Sequence, residues 1–189
     1  MRGTASDVIA ELTKRDATVG LCESLTAGLA SAALAGVPGA SAALRGAMVT
    51  YATECKVTLA GVPQDVIDEF GPVSPVTAKE MAKAARRKLN ADWGLSLTGV
   101  AGPSEQDGHP VGEVWVGIAS SDDCEAVLAG DILSDAPLVR GTIPGFSHAR
   151  NLLQAPRNEI REWAVEAALR VLLHAVREQK HVEGSYTKC

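Results

Sequence analysis

The sequence predicts an α/β protein in which a mixed sheet carries helices on both faces. Three observations predict it. Helix-period segments alternate with short apolar runs through the first half of the chain. Consecutive strand-like runs then follow one another after Asp92, which makes the sheet mixed rather than purely parallel. Aromatic residues are only 4% of a chain that is 46% hydrophobic, so Ala, Val, Leu and Ile must fill the core. A core of small aliphatic side chains suits close packing of helix on sheet.

The elements follow in order. Val8, Ile9 and Leu12 recur at helical spacing from Ser6 to about Arg15, with Ser6 or Asp7 as cap. Ala17 to Cys22 is a short apolar run that reads as a buried strand. Leu29 to Ala35 is Ala-rich and helical, and Gly36 and Pro38-Gly39 stop it. A second strand is predicted from Leu44 to Tyr51, a short helix from Glu54 to Leu59 closed by Gly61, and another from Pro63 through Phe70. Ser74-Pro75 is a cap followed by proline at the first helical position, opening a helix that runs to about Leu89. Asp92 to Thr98 alternates as a strand, Gly99 to Pro110 is a Gly- and Pro-rich loop, and strands are expected over Glu113 to Ala119 and Glu125 to Leu133. Ser134 to Pro156, cut by Pro137, Gly141, Pro144 and Gly145, is expected to be irregular. Asn158 to about Glu178 is an amphipathic helix with Ile160, Trp163, Ala167, Val171 and Ala175 along one side. With 189 residues, the expected organisation is a single domain over 1–180, with an irregular insertion at 134–156 and a flexible tail at 181–189.

Charge and cysteine usage narrow the function. A net charge of −5 argues against direct nucleic-acid binding, which needs a basic footprint. It leaves room for a single phosphate, because a few backbone N–H groups can hold one. No stretch reaches the length of a membrane span, and the start, Met1 to Asp7, has no apolar signal region. Cys22, Cys55, Cys124 and Cys189 form no CxxC pair, and no two histidines stand at ligand spacing, so neither a metal nor a redox centre is expected. A reduced cytoplasmic protein is the expectation.

Three segments can carry chemistry. Ser24 lies just after a predicted strand and just before a helix, in Glu23-Ser24-Leu25-Thr26-Ala27-Gly28. There a hydroxyl meets the ligand-binding end of the sheet, the positive end of a helix, and the N–H groups of Thr26, Ala27 and Gly28 as receivers of an oxyanion. Position alone favours a plain helix cap. Tyr51 closes a strand and Lys56 follows in the next helix. A lysine can take a serine's proton only if it is neutral, which requires burial and no close carboxylate. Alone, the pair reads better as a gap-filling tyrosine and a surface lysine bonded to Glu54. The third segment, Thr98-Gly99-Val100-Ala101-Gly102-Pro103, continues through His109 to Gly112. Its glycines let N–H groups turn toward an anion or a flat ring, but it is neither a dinucleotide fingerprint nor a P-loop, and an ordinary long hairpin loop fits equally well. His109 reads as a solvated loop histidine.

Taken together and in this order, these segments, with Val37-Pro38-Gly39-Ala40-Ser41, Gly46 to Lys56 and Pro110-Val111-Gly112, resemble the CinA carboxy-terminal family, whose characterised activity is deamidation of nicotinamide mononucleotide. The likeness covers most of residues 5 to 120 and resumes over Arg157 to Leu173. It implies a three-layer α/β/α sandwich with a mixed sheet, in a stand-alone form and commonly as a homodimer. The family's catalytic serine, tyrosine and lysine fall on Ser24, Tyr51 and Lys56. The implied substrate-binding residues are Thr26, Ala27, Gly28, Thr98, Gly99, Ala101, Gly102 and Pro103. The chain departs from the family pattern at Ser104-Glu105-Gln106-Asp107, where more glycine and threonine is expected, and at His109, where lysine is expected. The implied reaction is hydrolysis of the carboxamide of nicotinamide mononucleotide to nicotinate mononucleotide and ammonia, with no metal and no cofactor. The alternative is a non-catalytic nucleotide-binding regulatory module of the competence and DNA-damage type.

Overall fold

A computed structural model describes residues 2–178. Five strands form one sheet: β1 (Val19–Glu23), β2 (Leu44–Val49), β3 (Trp93–Gly99), β4 (Val114–Ala119) and β5 (Cys124–Leu128), in the spatial order β2-β1-β3-β4-β5. β1 is an interior strand, next to the edge strand β2, and runs parallel to both β2 and β3. β4 pairs antiparallel with β3, and β5 antiparallel with β4. The sheet is therefore mixed, as the early alternation and the later run of strands predict.

Side-chain alternation sends each strand's residues to two different cores. Val19 and Leu21 of β1, Trp93, Leu95 and Leu97 of β3, and Val114, Val116 and Ile118 of β4 share a cluster with helices α1 (Arg2–Lys14), α2 (Leu29–Ala35) and α7 (Arg157–Glu178). Cys22 and Met48 face the opposite way, onto α4 (Gln64–Phe70) and α5 (Pro75–Lys88) through Ile67, Met81, Ala84 and Ala85. Helices thus cover both faces in three layers.

α5 lies unusually close to the sheet. A Cβ on Gly94 would meet the Ala82 carbonyl oxygen at 2.0 Å, and one on Gly117 would meet that of Ala78 at 2.2 Å. Ser96, between them, donates to the Ala78 carbonyl at 2.6 Å. Small residues on both surfaces let backbone approach backbone, which is how a core poor in aromatics reaches close packing.

Two segments differ from expectation. The strand predicted to reach Leu133 stops at Leu128, and Ala129–Ile132 forms the helical turn α6. Leu128, Ala129 and Gly130 are buried in succession, which breaks the alternation of a half-buried strand and which a helical turn accommodates. Residues 134–156, expected to be irregular, carry β6 (Leu138–Gly141) and β7 (Arg150–Leu153), an antiparallel pair forming a second small sheet. Leu153 docks on the Gly-rich loop by donating its N–H to the Gly112 carbonyl at 3.1 Å. The long last helix is buried over most of its circumference from Ala164 to Leu172, because α1, α2 and α6 flank it as well as the sheet. The tail expected at 181–189 lies outside the described residues.

Candidate active site

β1 ends at Glu23, and the chain leaves the sheet at Ser24, whose N–H still bonds the Leu97 carbonyl of β3 at 2.9 Å. Ser24 is thereby fixed at the carboxyl end of the parallel strands, where open α/β sheets bind ligands. Ala27 (φ 49°) and Gly28 (φ 97°) then turn the chain through the left-handed region, which only glycine adopts freely. Gly28, not Ser24, is the N-cap of α2. The Ser24 hydroxyl is not spent on the helix; it accepts a hydrogen bond from Lys56 Nζ at 3.1 Å.

Lys56 stands where the short helix α3 (Thr53–Cys55) widens into a π-turn, Lys56–Ala60, closed by Gly61 at φ 78°. π-turns inside helices recur at functional sites. This one faces the lysine inward: Lys56 is 2% exposed, and its Nζ also lies 3.5 Å from the Thr50 carbonyl. Among the described residues no carboxylate forms an ion pair with it. Burial therefore pushes its pKa below the ordinary lysine value, with Cys22 and Cys55 opposing in part. Glu54, the partner expected of a surface lysine, is itself exposed.

The Tyr51 ring is more than half exposed, and its hydroxyl accepts from Arg157 Nη2 at 2.8 Å. Arg157 Nη1 donates to the Gly102 carbonyl, so one guanidinium ties Tyr51 to the Gly-rich loop. The structure thus brings Ser24 and Lys56 into direct contact and sets Tyr51 against Arg157. All four line one cavity.

Of the remaining residues expected to bind substrate, Thr98, Gly99, Ala101 and Gly102 line that cavity. Thr98 is held by donating its hydroxyl to the Pro72 carbonyl at 2.7 Å. Gly99 leaves no room for a side chain, since a Cβ would meet the Glu113 carbonyl oxygen at 2.3 Å. Pro103, Thr26, Ala27 and Gly28 lie outside the cavity wall. The N–H of Ala27 bonds the Ser24 carbonyl at 3.0 Å and that of Gly28 bonds the Glu23 carboxylate at 3.0 Å, so neither is available to an oxyanion. His109, expected in solvent, instead bonds the fully buried Glu113 at 2.9 Å, and Trp115 Nε1 donates to the same carboxylate at 2.8 Å. That cluster pins the far end of the loop to β4.

The cavity wall contains Lys56 and Arg157 and no Asp or Glu. In a protein of net charge −5, this site concentrates positive potential. Among the described residues no group of three or more His, Cys, Asp or Glu is placed to hold a metal ion.

Sequence reasoning missed three side chains that hold the site together. Arg157 and Arg161 stand one turn apart at the start of α7, where the helix dipole disfavours cations. A basic pair at the wrong end of a helix was the available signal. Glu23 was read only as part of a motif, although a carboxylate in a predicted buried strand needs partners. It has four donors: Thr26 Oγ1 and the N–H groups of Gly28, Ala30 and Ser31.

Comparison with known proteins agrees with this architecture. The profile of the CinA C-terminal domain family matches residues 2–132. A Streptococcus pneumoniae protein (strain 70585) named as competence-damage inducible is 45% identical over 123 residues, covering 65% of this chain and 29% of that protein. The chain thus spans less than a third of the length of the curated relatives it matches. The crystal structure of competence/damage inducible protein CihA from Agrobacterium tumefaciens superposes with a TM-score of 0.77 at 27% identity, over 94% of this chain and 95% of that one. A competence damage-inducible protein A structure from Klebsiella pneumoniae, at 22% identity, shares the fold with a TM-score of 0.78 over 95% and 98% of the two chains. With the profile match spanning well over half of its length, this chain belongs to the CinA C-terminal domain family.

Proposed function

We propose that this chain is an amidohydrolase that deamidates nicotinamide mononucleotide through a Ser24–Lys56 pair. The observation that carries the reading is the 3.1 Å contact between Ser24 Oγ and a lysine that is buried and has no carboxylate partner. Desolvation favours the neutral amine, the form that can accept a proton. In this mechanism the Ser24 oxygen attacks the amide carbon while its proton passes to Lys56. The resulting ammonium returns a proton to the nitrogen as the C–N bond breaks and ammonia leaves. Water then attacks the acyl-enzyme, giving nicotinate mononucleotide and restoring Ser24. Because Lys56 touches Ser24 directly, it is the immediate base, and Tyr51 belongs with Arg157 to the substrate-holding wall. The Arg157 guanidinium and the N–H groups of the Gly-rich loop suit the nucleotide's phosphate. No step calls for a metal or cofactor.

The same reading makes the protein a cytoplasmic homodimer acting on a small nucleotide. Val49, exposed at the end of the edge strand β2, is an apolar residue that supports a two-fold contact along that edge. Among the described residues no helix is long and apolar enough to cross a membrane.

The test is ammonia release from nicotinamide mononucleotide by wild type and Ser24→Ala. The variant should lose at least about a thousandfold in kcat with its fold intact. Near-wild-type turnover by folded Ser24→Ala would sink the covalent mechanism. Tight nucleotide binding without turnover by wild type would assign the chain to the non-catalytic binding reading.

A further inference from the structure

Groups of opposite charge hold the Ser24 loop from two sides. The Glu23 carboxylate, fully buried, takes the N–H groups downstream of the nucleophile, those of Gly28, Ala30 and Ser31. From α7, Arg161 takes the carbonyls. Its Nε donates to Leu25 C=O at 3.0 Å and its Nη2 to Thr26 C=O at 3.0 Å, while Nη1 is steadied by Asn158 Oδ1 at 3.1 Å. No carboxylate pairs with Arg161 among the described residues, so its charge acts on these two peptide units.

Two backbone donors remain. The N–H groups of Leu25 and Thr26 follow the serine immediately and have no acceptor among the described residues. In a trans peptide the carbonyl and the N–H point in opposite directions. Drawing the Leu25 carbonyl onto Arg161 therefore turns the Thr26 N–H away from α7. The Ser24 carbonyl, occupied by the Ala27 N–H at 3.0 Å, likewise frees the Leu25 N–H on the side away from the turn. Leu25 is on the cavity wall and Thr26 is not, so the Leu25 N–H is the one placed to meet negative charge developing beside Ser24, as an acyl-transfer site requires.

We infer that Arg161 is a positioning residue for the oxyanion site: by holding the carbonyls of Leu25 and Thr26 it fixes the orientation of Leu25, whose N–H, rather than those at the start of α2, is the donor beside Ser24. Arg161 is not part of the cavity wall and acts only through these peptide units. The inference rests on the reading of Ser24 as the nucleophile.

Arg161→Ala and Arg161→Lys test it, each normalised to the folded fraction. Two readouts are needed: steady-state hydrolysis of nicotinamide mononucleotide, and the rate at which a fluorophosphonate labels Ser24. In the second, the serine oxygen displaces fluoride from phosphorus, its proton passes to Lys56, and the phosphoryl oxygen uses the same donor. Arg161→Ala should lose about 10- to 100-fold in kcat and in labelling rate, with KM within about threefold of wild type. Arg161→Lys, which can keep one of the two carbonyl bonds, should recover part of both. Wild-type kcat in either variant, a loss confined to KM, or a lysine variant no better than alanine would overturn the assignment. If Arg161→Ala does not fold, Arg161→Lys against wild type decides, with an intermediate loss in both rates expected and none refuting it. If nicotinamide mononucleotide is not hydrolysed in a Ser24-dependent way, the functional reading fails by itself, and the labelling rates still decide the role of Arg161.

Discussion

Glu23→Gln is the substitution that most directly probes how the Ser24 loop is built. The change is nearly isosteric, so packing against the fully buried side chain is preserved and only polarity changes. Oε2 accepts from Thr26 Oγ1 at 2.7 Å, Gly28 N at 3.0 Å and Ala30 N at 3.1 Å, and Oε1 accepts from Ser31 N at 2.9 Å. Every partner is a donor, so the new NH2 group faces at least one N–H in either amide orientation. The less costly orientation keeps the oxygen toward the three donors and sets the NH2 against Ser31. That removes one charge-assisted bond, worth about 1.5–3 kcal/mol, and weakens the other three by removing the charge. We expect a loss of about 2–4 kcal/mol in stability. For a domain of this size that is a fall of roughly 5–15 °C in Tm. Glu23→Ala, which strips all the donors of their acceptor, should cost more. Thermal and urea unfolding measure the loss, and ammonia release measures its effect on Ser24. A Glu23→Gln protein melting within about 1 °C of wild type would refute the argument that the carboxylate organises the loop.

Other outcomes follow from the same geometry. In the proposed mechanism Lys56 acts as the neutral amine, so the rate should rise with pH and level off above a pKa lying below the ordinary lysine value; Lys56→Arg should be almost inactive at every pH. The same depressed pKa means that the unfolded chain binds this proton more readily than the folded one. Wild type should therefore lose stability as pH falls from the ordinary lysine value to the folded pKa, and Lys56→Met, compared by chemical denaturation, should not. Arg157→Ala should raise KM for nicotinamide mononucleotide by about 10- to 100-fold while leaving the riboside nearly unaffected, and equal effects on both would show that Arg157 does not read phosphate. Gly94→Ala must push α5 away from β3, because its Cβ would lie 2.0 Å from the Ala82 carbonyl oxygen; a loss of at least about 1–3 kcal/mol in unfolding free energy is expected.

Local periodicity determined much of this protein. The Ala-rich run Leu29–Ala35 is helical over the predicted residues, Ser74 caps α5 by accepting from the Thr77 N–H, and Trp93, Leu95 and Leu97 alternate into one core. The Ser24 motif was visible because a small-residue break between an apolar run and a helix is a local pattern. Residues 138–153 were not legible, since β6 and β7 are four-residue strands, half exposed and interrupted by Gly and Pro. They hold their shape by pairing with each other and leaning on Gly112 and Gly130. The chemistry of the site was decided by tertiary structure. Sequence spacing places Lys56 near Tyr51, but only the fold buries it and brings its Nζ within 3.1 Å of the hydroxyl of a serine 32 residues away. Arg157 reaches Tyr51 across 106 residues, and Arg161 reaches Leu25 across 136. Short-range patterning selects helix or strand within a few residues of chain. Desolvation, pairing and the aim of a peptide N–H depend on groups that only the folded chain brings together.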